Sequence, residues 1–188
     1  MTEQEILQVF RDTGALLEGH FVLRSGLHSR QYFQCALALQ NMPTVEKLGA
    51  ELARKVRSLS AVTVVSPAMG GLVLGQEVAR QLGIRFLFVE KEDGHLVLRR
   101  GFKILAGERI LVVEDVVTKG GRVQETLEIV RTEGGQIAGV AMAVDRSAGG
   151  VNFGVPTFSL LALFVETFPA DNLPPDLANT PAIKPGSK

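Results

Sequence analysis

Ile110-Leu111-Val112-Val113-Glu114-Asp115-Val116-Val117-Thr118-Lys119-Gly120-Gly121 decides how this chain is read. Four apolar β-formers precede two adjacent acids, two more apolar residues and a Thr-Lys-Gly-Gly turn. The pattern predicts a buried strand over Ile110–Val113, a carboxylate pair at its end, and a turn into a helix. Burying charge is costly, so two acids at that place call for a polar ligand. A glycine-rich turn at a helix start offers successive backbone N–H groups, which favour an anion. Glycines at 120 and 121 remove side chains that would hold a phosphate at a distance, and Thr118 adds a hydroxyl donor. Neither a Walker loop nor a dinucleotide fingerprint is present. The run fits a molecule with hydroxyls at one end and a phosphate at the other.

Outward from this run the chain alternates strand and helix. Ala61–Val65 reads as a buried strand, Pro67–Gly71 as a turn, Gly71–Leu82 as a helix ended by Gly83, and Ile84–Val89 as the next strand. Residues 90–101 are polar and basic around Asp93-Gly94, which predicts a hairpin or mobile loop. Arg122–Glu133 is a helix stopped by Gly134-Gly135, and Ile137–Val144 and Phe158–Val165 are strands. Upstream, Thr2 and Glu5 form a capping box for a helix that ends near Gly14. Residues 20–40 mix strands and a loop. Pro43-Thr44 opens a helix with Leu48, Leu52 and Val56 along one stripe. Apolar strands alternating with helices predict an α/β fold, a parallel sheet flanked by helices. Ligands bind beyond the carboxyl ends of such strands. That places Ser66–Gly71, Glu114–Gly121 and Asp145–Gly150 on one rim. Five of the eight prolines fall after residue 168, so extended or disordered chain is expected there.

The bulk numbers exclude several classes. A length of 188 residues suggests one domain, and a hydrophobic fraction of 46% is ample for a core. Lys+Arg and Asp+Glu are 20 each, so no net field recruits nucleic acid or an anionic membrane. Cys35 is the single cysteine, which fits a reducing compartment. No apolar stretch approaches the length of a membrane helix, and the acidic N-terminus lacks the pattern of a signal peptide. A soluble, cytoplasmic protein without nucleic-acid or membrane partners is expected. His20 and His28 have no metal-ligand companions in the sequence.

The run Ile110–Gly121 resembles the phosphoribosyl pyrophosphate signature of the type I phosphoribosyltransferases. The resemblance implies that fold, with an N-terminal hood segment over 1–40, a core over 60–165 and a mobile loop, in one domain spanning 1–168. Residues 169–188 form a Pro-rich tail. It also implies that Glu114 and Asp115 take the ribose hydroxyls, while the stretch Val116, Val117, Thr118, Lys119, Gly120, Gly121 and Arg122 holds the 5′-phosphate. The family often has a second threonine where Lys119 stands and a small residue where Arg122 stands, and both changes add positive charge beside a phosphate. Ser66-Pro67-Ala68-Met69-Gly70-Gly71 resembles the family's pyrophosphate loop, with Ala68, Met69 and Gly70 in contact through the backbone.

Phe21-Val22-Leu23-Arg24-Ser25-Gly26-Leu27-His28-Ser29-Arg30-Gln31-Tyr32-Phe33 narrows the family. It is similar to the N-terminal segment of the orotate phosphoribosyltransferases, with one residue more than the commonest form between Ser29 and Tyr32. By that resemblance Arg24, Phe33 and Gln34 contact the base, as do Thr118 and Arg146, the arginine after Asp145. A guanidinium suits the carboxylate of orotate by bidentate geometry. The mobile loop implies cations for pyrophosphate: Lys91 first as a catalytic residue beside Glu114 and Asp115, then Arg99 and Arg100, with His95 a further candidate. The loop's spacing departs from the family's common Arg-Lys and Lys-x-His form.

The implied reaction joins orotate and phosphoribosyl pyrophosphate into orotidine 5′-monophosphate and pyrophosphate, in pyrimidine nucleotide synthesis. Mg²⁺ is implied as the cofactor, bound mainly through substrate and not directly by the protein. A homodimer is implied, since the family's loop acts across the subunit interface. Two alternatives stay open at this point: a purine or other base phosphoribosyltransferase, and a non-catalytic phosphoribosyl pyrophosphate-sensing regulator.

Overall fold

Thr2 and Glu5 open the first helix as their spacing demands. In the computed structural model, which describes residues 1–23 and 25–185, the Glu5 N–H donates to Thr2 Oγ1 and the Thr2 N–H to Glu5 Oε2, at 3.2 and 2.7 Å. Helix α1 (Glu3–Asp12) then buries Ile6 and Phe10 one turn apart. Strands β1 (Leu16–Val22) and β2 (His28–Phe33) form an antiparallel hairpin. A short helix α2 (Ala36–Leu39) leads to α3 (Met42–Val56), capped by Asn41 Oδ1 on the Thr44 N–H at 3.1 Å. Leu48, Leu52 and Val56 are the buried stripe of α3.

The core follows as β3 (Thr63–Pro67), α4 (Gly70–Leu82), β4 (Arg85–Glu92), β5 (His95–Leu98), β6 (Arg109–Val117), α5 (Gly121–Thr132), β7 (Gln136–Asp145) and β8 (Thr157–Ala162). The six strands lie in the order β5-β4-β3-β6-β7-β8. All neighbours are parallel except β5, which returns antiparallel along β4 at one edge. Helices α1, α3 and α4 cover one face over Leu48, Leu52, Leu74, Leu111 and Val113. Helix α5 covers the other over Val65, Val112, Leu127 and Val140. The chain leaves β3 toward β4 on one side and resumes at β6 on the other. The sheet therefore reverses its winding between β3 and β6, where ligand crevices form.

Two expectations need revision, and one that left a hairpin or a mobile loop open is decided. The strand predicted over Ile110–Val113 continues to Val117, because pairing with β7 runs on past the apolar run, Glu114 opposite Met142 and Val117 opposite Asp145. The acids thus lie within the strand and not beyond it. The basic segment 90–101 begins as a tight hairpin: Asp93 and Gly94 both have positive φ, 47° and 94°, as a two-residue turn between twisted strands requires. The tail after residue 168 is neither extended nor free. It carries a short helix α6 (Pro175–Ala178), buries Leu177, and folds back on the β1–β2 hairpin. Prolines remove backbone donors but do not prevent a short helix, side chains and isolated bridges from docking. No helix among the described residues is long and apolar enough to cross a membrane.

Candidate active site

At the reversal point, two strand–helix turns face each other across the acid pair. The turn after β6 lines a cavity of about 410 Å³ bounded by Glu114, Thr118, Lys119, Gly121, Arg122 and Glu125, among others. Among the described residues no protein group accepts from the backbone N–H groups of Lys119 through Val123, and no side chain caps α5. These donors, with the positive end of the helix dipole, form an open anion site. Gly120 has φ +73°, and a Cβ there would stand 2.8 Å from Val151 Cγ1 and 3.1 Å from the Phe153 ring. Its glycine is required by the turn and by this packing. Gly121, by contrast, faces open space. The sequence argument that both glycines clear room for a phosphate therefore fits Gly121, while Gly120 sets the turn's shape.

The turn after β3 is the second open helix start. The Ala68 N–H donates to Val89 O at 2.7 Å, the Ala68–Met69 peptide is cis, and α4 begins at Gly70 with no side-chain cap. A Cβ on Gly70 would meet Asp115 Oδ1 at 2.6 Å, and one on Gly71 would meet Glu114 Oε1 at 2.9 Å. Glycine is what lets the first turn of α4 press against the two carboxylates. The motif over Ser66–Gly71 and the motif over Ile110–Gly121 are in this way one structure.

Glu114 is buried, at 7% exposure. Burial first, and then the Asp115 carboxylate, push its carboxyl well above the usual carboxylate range. Its Oε1 accepts the Asp115 N–H at 3.0 Å, and Asp115 Oδ1 accepts the Val116 N–H at 2.8 Å. Neither acid has an ion-pair partner among the described residues. A buried carboxyl without a cation is a poor structural element and a ready acceptor for ligand hydroxyls.

The same arrangement is found among known proteins. The model for the phosphoribosyl transferase domain matches residues 36–153. The orotate phosphoribosyltransferase of Desulforamulus reducens is 50% identical over 188 residues, covering 100% of this chain and 98% of that protein. The crystal structure of orotate phosphoribosyltransferase from Aeropyrum pernix superposes with TM-score 0.67 at 26% identity, over 84% of this chain and 93% of that one. The chain belongs to the orotate phosphoribosyltransferase family. Fold alone does not select this branch: an adenine phosphoribosyltransferase from Thermoanaerobacter pseudethanolicus superposes with TM-score 0.63 at 17% identity, over 71% of this chain and 88% of that one.

The residues expected to contact the base can be placed in this chain's own geometry. Arg146 follows β7, and its N–H donates to Val117 O at 2.8 Å, which places it on the rim beside the phosphate turn. The guanidinium is half-buried, its Nε has no hydrogen-bond partner among the described residues, and burial lowers its pKa from the ordinary value. The ion pair with Asp145 that sequence proximity allows does not form. Asp145 Oδ1 accepts the Ser147 N–H instead, at 2.8 Å. The Tyr32 hydroxyl donates to Gln34 Oε1 at 2.8 Å. Phe33 is buried edge-on against Phe10, with ring centroids 5.0 Å apart. The Gln34 N–H is already used, donating to Ala15 O at 2.8 Å, so of its backbone groups this donor is closed to a ligand. Arg24 lies outside the described residues.

The hairpin cations divide. Arg100 donates to Glu90 Oε2 at 2.8 Å, and Arg99 pairs with Glu92 at 2.8 Å, so both expected pyrophosphate contacts are held by the hairpin's own acids. Lys91 is exposed, with no ion pair among the described residues. His95 Nδ1 is 4.0 Å from Glu125 Oε1, the same oxygen that accepts the Leu96 N–H at 2.5 Å. Sequence reasoning missed Glu125. It lies one helical turn beyond Gly121, and that spacing was the signal that it faces the phosphate turn. Cys35 was also missed. It is buried, and burial, Asp115 and Glu114 together push its thiol well above its usual range. Nothing in its sequence neighbours foretells that proximity.

Proposed function

We propose that this chain transfers the ribose 5-phosphate group from phosphoribosyl pyrophosphate to orotate, giving orotidine 5′-monophosphate and pyrophosphate, as an enzyme of pyrimidine nucleotide synthesis. The observation that carries this reading is the acid pair lying between two open helix N-termini, with a half-buried guanidinium on the same rim whose Nε has no partner among the described residues.

Each residue then has a physical task. Glu114 and Asp115 accept the ribose hydroxyls. The N–H groups from Lys119 to Arg122, with the Thr118 hydroxyl, hold the 5′-phosphate. The first turn of α4, reached through Ala68, Met69 and Gly70, meets the pyrophosphate. Arg146 takes the carboxylate of orotate. Charge builds on the anomeric carbon as pyrophosphate departs, so catalysis is positioning plus electrostatic stabilisation and needs no nucleophilic side chain. Lys91 is the hairpin cation ready to meet the leaving pyrophosphate, while Arg99 and Arg100 must first leave Glu90 and Glu92.

A divalent cation such as Mg²⁺ fits this donor set in one way. Among the described residues no three His, Cys, Asp or Glu side chains converge, so substrate oxygens would supply most ligands and Asp115 and Glu114 the protein's share. Bound there, the cation offsets the negative charge of the pyrophosphate. A homodimer, in which the β4–β5 hairpin serves the partner's site, accords with the hairpin's exposed position.

The test is direct. The purified chain, with Mg²⁺ and phosphoribosyl pyrophosphate, consumes orotate as followed by ultraviolet absorbance, releases pyrophosphate in equal amount, and leaves adenine and hypoxanthine untouched. Consumption of a purine in place of orotate overturns the reading.

A further inference from the structure

The tail is bound to the β1–β2 hairpin along both strands. Phe168 and His28 exchange two backbone hydrogen bonds of 2.8 Å each on β2. On β1, the Val22 N–H donates to Ile183 O and the Ile183 N–H to His20 O, again at 2.8 Å. Arg30 grips the tail through its whole fork: Nε and Nη2 donate to Asp176 at 2.7 and 2.9 Å, and Nη1 to Glu166 at 2.9 Å. The same guanidinium lies 4.8 Å from the centre of the Phe168 ring. The Ser29 hydroxyl donates to Glu166 O at 2.8 Å. Buried His20 meets Thr180 O at 2.7 Å through Nδ1 and His28 Nδ1 at 2.6 Å through Nε2.

A two-stranded hairpin has little stability of its own, and single exposed ion pairs add little to it. A planar fork closed on two acids, joined by backbone bridges on both strands, fixes orientation far better than any one of them. What this fixes leads toward the site. Strand β2 runs from Arg30 to Tyr32, which points to the same side of the strand two residues on. The Tyr32 ring lies 5.8 Å from that of Phe21, whose backbone Ile183 bridges. The Tyr32 hydroxyl in turn donates to Gln34 Oε1 at 2.8 Å.

We propose that residues 166–183 are a positioning strap for the base side of the site, with Arg30 as its clasp and Tyr32 as the side chain it sets against Gln34. The functional half of this statement rests on the reading of Phe33 and Gln34 as contacts to the base, and the test separates the two. Tyr32 is the only tyrosine and the chain has no tryptophan, so intrinsic fluorescence of the full-length chain reports on this residue alone. Arg30→Ala and, as a milder variant that leaves β2 untouched, Asp176→Ala are compared with the unaltered chain. The strap predicts that Tyr32 fluorescence anisotropy falls in both, that the KM for orotate rises about tenfold, and that the KM for phosphoribosyl pyrophosphate stays within about twofold. Unchanged anisotropy in both variants overturns the strap, and so does an equal rise in the two KM values, which marks general loosening. If the unaltered chain does not use orotate, the proposed function fails while the anisotropy still judges the strap.

Discussion

The proposed phosphate side and the proposed base side of this site are built by opposite means. The first consists of two strand–helix turns at the reversal point of a parallel sheet. Its backbone is fixed by β3, β6, α4 and α5, whose inward residues are wholly buried. The second, apart from Arg146 at the end of β7, consists of a hairpin outside that sheet, held by a tail up to 160 residues away in sequence. One needs only the local order of apolar residues and glycines. The other needs partners that come together only after the chain has folded. The contrast teaches that substitutions on the first should fail in chemistry or folding, whereas those on the second should fail in base affinity.

The largest effect that can break this contrast is at the acid pair. Changing Glu114→Gln and Asp115→Asn together is expected to lower kcat/KM by at least about 10²–10³-fold, with circular dichroism unchanged. Near-normal turnover would make the pair structural. Next is Arg146→Leu, which removes a charge-assisted contact of roughly 1.5–3 kcal/mol, so the KM for orotate rises about tenfold to a hundredfold. The KM for phosphoribosyl pyrophosphate stays close to normal. Because the guanidinium is half-buried without a full set of partners, the thermal midpoint of this variant should not fall.

Gly120→Ala sits between chemistry and folding. A side chain there is strained by positive φ and meets Val151 and Phe153, so a loss of roughly 1–3 kcal/mol is expected in denaturant unfolding, together with weaker phosphate binding. The smallest effect concerns pH. Glu114 titrates higher in the folded chain than in the unfolded one, so between those two values the folded state binds more protons and stability falls as pH rises. Glu114→Gln removes that slope. At pH 8 the ligand-free variant should be more stable than the parent by roughly 1 kcal/mol, one pKa unit corresponding to about 1.4 kcal/mol, and the advantage should vanish near pH 4. A parent whose stability rises from pH 5 to pH 8 by the same amount as the variant's would contradict the burial argument.

What the sequence made legible follows the same division. Alternation of apolar strands with helices, Gly83 ending α4, and the Thr2–Glu5 box are local signals, and all appear where their spacing placed them. So does the rim that carries Ser66–Gly71 and Glu114–Gly121. The run past Val113 was not legible, since what extends β6 is pairing with β7. The pairing of Arg30 with Asp176 and Glu166 was not legible, because it spans 146 residues for one pair and 136 for the other. Arg99 and Arg100 were expected to face pyrophosphate, yet acids seven to ten residues earlier in the hairpin hold them. A cation's sign can be read from sequence, but its partner is chosen by register.

The most direct measurement of the central claim compares two bases that differ by one group. Uracil is orotate without the carboxylate, so the two probe Arg146 and nothing else on the ring. With Mg²⁺ and saturating phosphoribosyl pyrophosphate, the account predicts that kcat/KM for orotate exceeds that for uracil by at least about a hundredfold, the factor a charge-assisted contact of up to 3 kcal/mol supplies, and that Arg146→Leu removes most of the gap. Equal use of both bases by the unaltered chain, or a gap that persists in Arg146→Leu, would contradict it.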